Sequence, residues 1–210
     1  SQVITEQNLS LECGVTTKMA WGKAGTNTLS GAQSNNVITG LTISKTNQFF
    51  GHVISGVGVN QVEMQFGNGS IDGSSIYAFR KSDNGGTDGV SASTSVFKLH
   101  NSSSQQDKFY VGYIVNIATE EKIGIGHIVE ANTTGNNAPN RAESVGKWSN
   151  TSVQLDQIEH QSTNLQSGTN LAVLGSDITP SGVKVQDGAI YYETDTNKEF
   201  LLYNDVWTEL

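Results

Sequence analysis

Cysteine is all but missing from this chain: Cys13 stands alone among 210 residues. No internal disulfide can form, and metal centres of the Cys₄ or Cys₂His₂ kind are excluded. A chain of this length buries a core without either device. Proline occurs only twice, and charged residues make up 15%. Positive charge is scarce, with 12 Lys and Arg against 20 Asp and Glu, a net charge of −8 and a pI near 4.9. That balance excludes a duplex-nucleic-acid binder, which needs a basic face to displace counterions. It equally argues against docking on an anionic membrane surface. No apolar run approaches the ~20 residues of a membrane-spanning helix. The opening SQVITEQNLS has neither the basic nor the apolar region of a secretory leader, so the chain reads as a soluble product made without one. Walker A, Rossmann, HExxH and GxSxG patterns are absent, and no cofactor is expected.

What is present is turn chemistry and period-two hydrophobicity. Twenty-three glycines and abundant Ser, Thr and Asn separate short runs in which apolar residues alternate with polar ones. Such runs occur at VITGLTIS (37–44), QFFGHVISGVGV (48–59), QVEMQFG (61–67), SSIYAFRKS (74–82) and SVFKLH (95–100). KFYVGYIVNIA (108–118) is the most apolar and the best candidate for a central strand. KIGIGHIVEA (122–131) sets Ile123, Ile125, His127 and Val129 against smaller residues, and VQLDQIEHQ (153–161) and NLAVLGS (170–176) complete the series. Helix is confined to at most one turn near 117–121, because Gly and β-branched residues stop it growing. The spacing predicts an all-β fold, an antiparallel β-sandwich of jelly-roll or lectin-like type over residues 1–176.

Pro180 and Gly182 mark 177–186 as a connector. Residues 187–210, DGAIYYETDTNKEFLLYNDVWTEL, form a C-terminal aromatic hairpin module, with AIYYET and KEFLLYN as arms, DTN as turn and VWTEL as a further short strand. Charge divides unevenly: 1–175 holds thirteen acids and ten bases (−3), whereas 176–210 holds seven acids and two bases (−5). A lone two-stranded hairpin is marginal in water, so this module must dock on something. Tyr191, Tyr192, Phe200, Tyr203 and Trp207 are its assembly candidates.

Two loops stand out. RKSDNGGTDG (80–89) places Asp83, Asn84 and Asp88 around a Gly-Gly turn. Hard oxygen donors so arranged can hold Ca²⁺, although the spacing is not that of an EF-hand; the same residues also suit a polar loop built on Asx-turns. GNNAPNRAESVGKWSNTS (135–152) carries Arg141 beside Glu143, Lys147 and Trp148. Arg141 and Trp148 are candidates for a glycan or protein contact. The alternative is a long ordered loop held by Arg141 and Glu143, with Trp148 filling the core edge. Trp21 and Trp207 read as packing residues. His52, His100, His127 and His160 lie in or beside strand signals and show no ligand spacing, which favours structural roles. A glycan hydrolase would draw two carboxylates from Asp72, Asp83, Asp88 and Glu143, but no motif selects among them.

SDNGGTDG (82–89), APNRAESVGKWSNTS (138–152) and SGTNLAVLGSD (167–177) together resemble a β-sandwich domain of structural proteins from tailed viruses, notably marine ones. The terminal segment resembles a short aromatic motif of phage fibre and tail-associated proteins. In it a G-x-I-aromatic arm, a T-D-T-N turn and an aromatic arm ending near Trp are filled by Gly188, Ile190, Tyr191, Thr194, Asp195, Thr196, Asn197, Tyr203 and Trp207. The resemblance implies a non-enzymatic virion component, commonly a homotrimer, that binds other virion proteins. Without a long attachment region or fibrous stalk, the length suits a capsid decoration or head-fibre protein. The alternative expectation is a receptor- or glycan-binding, lectin-like domain of a tail fibre, in which Arg141, Trp148 and the 80–89 loop converge on one patch.

Overall fold

The structure, a computed structural model, describes residues 21–55, 61–100, 106–132, 136–176, 188–193, 197–203 and 206–210. Cys13, the 177–186 connector and the turn residues Thr194, Asp195 and Thr196 lie outside the described residues. Every described regular element is a strand, and every pairing is antiparallel.

An eight-stranded sheet runs β1 (Gly22–Thr28), β13 (Asn170–Ser176), β3 (Thr46–Val53), β9 (Lys108–Val115), β10 (Lys122–Glu130), β11 (Asn140–Trp148), β6 (Tyr77–Asp83), β7 (Gly89–Thr94). The second sheet runs β2 (Gln33–Ile38), β12 (Gln157–Leu165), β4 (Val62–Asn68), β5 (Ser70–Ile71), with β8 (Phe97–His100) also paired to β4. A separate three-stranded sheet is formed by β14 (Ile190–Glu193), β15 (Lys198–Tyr203) and β16 (Val206–Glu209). The expected β-sandwich is therefore present, and KFYVGYIV does occupy a central strand, β9.

The two large sheets meet on aromatic rings. Phe66 of β4 lies 6.2 Å from Phe49 and Tyr77 and 6.4 Å from Phe97 and Trp148, all fully buried or nearly so. Tyr77 stacks on Trp148 at an interplanar angle of 18°. Its hydroxyl accepts from the Phe66 N–H at 2.9 Å and donates to the Asp72 carbonyl at 2.9 Å, so burial leaves no polar atom stranded.

Three sequence expectations change. Residues 135–152 contain a nine-residue strand, β11, at the heart of the large sheet rather than one long loop. Its inward positions, Ala142, Ser144 and Gly146, are small, so no alternation of apolar and polar residues announces it. The 37–44 run is not one strand: β2 ends at Ile38, and Gly40, at φ +65°, turns the chain where a residue with a Cβ is strained. Third, β1 and β7 form although neither carries an apolar run, being recruited as the two edges of the large sheet.

Candidate interaction face

Strand β10 sets the geometry. Alternation puts Gly124, Gly126, Ile128 and Glu130 on one side and Ile123, Ile125, His127 and Val129 on the other. The glycine side faces the core, because Phe97 and Leu99 of β8 need the room. A Cβ at Gly126 would sit 2.5 Å from Leu99, and one at Gly146 of β11 would sit 2.6 Å from Phe97. The larger side chains therefore point outward: Ile123 is 58% exposed, Ile125 45% and Val129 39%.

The neighbouring strands extend this outward face. One cross-strand row runs Gln48, Tyr113, Ile125, Val145, Arg80, Val90 across six strands. Tyr113, Val145 and Val90 in that row are all exposed. A broad open depression of about 660 Å³ follows it, floored by Tyr113, Ile123, Ile125, Val145 and Val90, with Arg80 and Lys147 as its only charged lining. Trp21 adds an edge-on contact to Tyr113 at 6.2 Å, and the Gln48 amide donates to the Tyr113 hydroxyl at 3.2 Å. Toward the opposite end of the strands polar residues enter the face, with His127 opposite Glu143 and Arg141 paired to Glu143 at 2.6 Å, beside the exposed Phe109 and Val129.

Of the residues singled out in the sequence, Asp83, Asn84, Asp88 and Arg141 do come together where the β6–β7 turn meets the start of β11. Asn84, at φ +53°, accepts from the Arg141 N–H at 2.9 Å, while its own N–H donates to the Arg141 carbonyl at 2.9 Å. Asp88 pairs with Arg80 at 3.1 Å, and Asp83 is engaged by Lys81 and by His100 Nδ1. Burial alone would raise the Asp83 carboxyl, but the hydrogen bonds from Lys81 and His100 outweigh it and hold it below its usual range. Trp148 does not join this group. It sits at the other end of β11, 1% exposed, with its indole N–H donating to Asp72 at 3.1 Å. Lys122, also buried, lies 5.8 Å over its ring and donates to the carbonyls of Glu120 and Asn150, each at 2.7 Å. The indole face is therefore used inside the core, and no surface patch unites Trp148 with Arg141.

A buried ionic chain ties the sheets at the Arg141 end. His100 Nε2 meets Glu130 at 2.6 Å, Nδ1 meets Asp83 at 3.1 Å, and Lys108 lies 3.7 Å from the other Glu130 oxygen. Both ring nitrogens face carboxylates, which leaves neither to act as a base toward a hydroxyl. Burial pushes the Lys108 ammonium down, partly restored by Glu130. His160, stacked edge-on to Tyr110 at 5.2 Å, is held neutral by burial, its imidazole pushed down to about 4.

In the terminal sheet, Tyr192, Tyr203 and Trp207 are exposed and Phe200 is half-buried; Tyr191 stands opposite Phe200 in the ladder. Pairing places Ile190, Tyr192, Leu201, Tyr203 and Val206 on one face. On the other, Leu202 is buried within the chain at 5% exposure.

The exposed residues Tyr113, Ile125 and Val145 were not singled out from sequence. The signal was the G-x-G spacing in KIGIGHIVEA: glycines on one face of a central strand imply bulky neighbours on that side, and so an outward-facing apolar set.

No protein family and no curated protein matches this chain. Among solved structures it is similar to the CBM2 module of the evolved Dit of Lactobacillus casei BL23 phage J-1, over 69% of each chain, with 10% identity and a TM-score of 0.24. At that level the likeness bears on neither fold nor function.

Proposed function

We propose that this protein is a non-enzymatic structural component of a virus particle, of the capsid-decoration or head-fibre kind, which joins copies of itself and other virion proteins through sheet faces. The observation that carries the reading is the outward apolar face of the eight-stranded sheet. The solvated side of an antiparallel sheet ordinarily carries polar residues, yet here Ile123, Ile125, Tyr113, Val145 and Val90 stand open around one depression. Contiguous exposed apolar surface of this extent marks a contact site. The virion setting comes from the motif resemblance of 82–89, 138–152, 167–177 and the terminal module. The buried ionic chain is consistent with a structural role, since each of its groups is satisfied by another. Immunogold labelling, with antibody raised to the recombinant chain, tests the proposal on virus particles concentrated from its source. Label is expected on capsids or head fibres, and particles that remain bare overturn it.

A second reading rests on the Trp21–Tyr113 pair at the rim of the depression, since exposed ring faces also stack on sugars. In that case the chain is a glycan-binding domain of a tail fibre. A glycan array separates the two: hits abolished by Tyr113→Ala favour the second reading, and a blank array favours the first.

A further inference from the structure

The apolar face needs an occupant, and the terminal sheet has the complementary properties. Its open face carries Ile190, Tyr192, Tyr203 and Val206, between 49% and 68% exposed. The two surfaces match in extent: Tyr113, Ile123, Ile125, Val145 and Val90 stand exposed around the depression, and four apolar side chains stand open on the terminal sheet. They match in footprint, since three strands at ~4.8 Å spacing fit within the six strands that line the depression. Both cations that line the depression are already paired, Arg80 with Asp88 at 3.1 Å and Lys147 with Glu121 at 2.8 Å, so the face presents no uncompensated charge to an apolar partner.

In the single chain both faces stay open, with Ile125 at 45% and Tyr203 at 68%, while the other face of the terminal sheet already buries Leu202.

We propose that the outer face of the eight-stranded sheet receives the open face of the terminal sheet of a second copy, head to tail. The contact is sheet on sheet, with Tyr192 and Tyr203 set over Ile125 and Val145. Such a heterologous contact uses two different surfaces of each subunit and closes into a ring when the rotation permits. This inference rests on the self-association within the proposed function and names the surfaces that perform it.

Ile125→Glu on one surface and Tyr203→Glu on the other test it by sedimentation velocity, with folding checked by circular dichroism. Both positions are exposed, so both variants should fold; if either does not, Val145→Lys and Tyr192→Glu replace them. The wild type is expected to sediment as a closed oligomer and each variant as a monomer. An equimolar mixture of the two should form a dimer, because one intact face then meets one intact terminal sheet. A Tyr203→Glu variant that stays oligomeric overturns the inference, as it shows the large faces pairing with each other. A mixture that stays monomeric overturns it too. A monomeric wild type that still labels virus particles removes the inference together with self-association and leaves the virion role standing. Complementation without any labelling supports the inference and overturns the virion reading.

Discussion

Replacing Gly146 by alanine should destabilise the sandwich, although such a change usually helps a strand. The added Cβ would lie 2.6 Å from Cδ2 and Cε2 of Phe97 and 2.8 Å from the Ala78 carbonyl oxygen. Neither neighbour has room to retreat. Phe97 is fully buried, 6.4 Å from the Phe66 ring and close under Gly124, and the Ala78 carbonyl belongs to the β6 backbone. Overpacking of this kind costs about 1–3 kcal/mol. The lower chain entropy of alanine in the unfolded state offsets ~0.4–1 kcal/mol of that. At the middle of both ranges the net loss is about 1.3 kcal/mol, which should lower the melting midpoint by roughly 3–5 °C in a chain of this size. Val145→Thr, one residue earlier, is the internal control. Val145 is 49% exposed and points away from the core, so its substitution should change stability by no more than ~0.5 kcal/mol. Differential scanning calorimetry of both variants, at a concentration low enough that association does not add to stability, decides the matter. A neutral Gly146→Ala with a destabilising Val145→Thr would mean that the two faces of β11 have been assigned the wrong way round.

Lys122→Met removes a cation held by backbone carbonyls and leaves those carbonyls buried. It should lower stability by ~1–3 kcal/mol in urea unfolding. Asn84→Ala loses both a left-handed conformation suited to Asn and the bonds to Arg141 and Asn140, and should lower stability by ~1–2 kcal/mol. Arg141→Ala, whose ion pair with Glu143 is solvent-exposed, should leave the midpoint nearly unchanged in the same assay. His160 supplies a pH dependence. Its folded-state value of about 4 lies below the unfolded value near 6.5, so the unfolded chain takes up the proton first. Stability from this residue is complete above pH ~6.5 and falls by about 2–3 kcal/mol as pH drops toward 4. Urea midpoints at pH 7 and pH 4.5 should therefore separate less in His160→Gln than in the wild type; an equal separation refutes the assignment.

Runs such as KFYVGYIV and NLAVLGS were legible because strands buried on one or both sides carry β-branched and aromatic residues in quantity. β11 was not, because it meets β8 and offers it Ala142, Ser144 and Gly146 where a larger apolar residue is the usual signal. The bulk that fills those inward positions is supplied by Phe97 and Leu99, distant in sequence, and only tertiary structure shows the exchange. The same exchange hid the interaction face: with Gly124 and Gly126 inward, Ile123 and Ile125 of β10 point outward, and alternation alone does not say which side is the core. Trp148 illustrates the reverse case, since its place beside Arg141 in sequence is undone by the length of a nine-residue strand, which carries the two to opposite ends of the sheet.

The pairing irregularities bear on how copies meet. The ladders inside the large sheet, from β13 through β3, β9, β10 and β11 to β6, run without a register shift. Each outermost ladder of that sheet is broken instead: β1 shifts against β13 between Lys23 and Gly25, and β7 shifts against β6 between Tyr77 and Ala78. The smaller sheet repeats the pattern where β2 meets β12 and where β8 meets β4. Bulges twist an edge away from the flat geometry that a further strand requires, so they oppose association by strand addition. β5, the remaining edge of the smaller sheet, is only two residues long and offers too short a template. With the edges of the two larger sheets blunted and one face left apolar, growth of those sheets through backbone hydrogen bonds is disfavoured while contact through side chains is open. Side-chain contact across a face has a defined footprint and saturates once that footprint is covered. Copies joined head to tail in this way close into a ring where the rotation between them permits and otherwise run on as a filament.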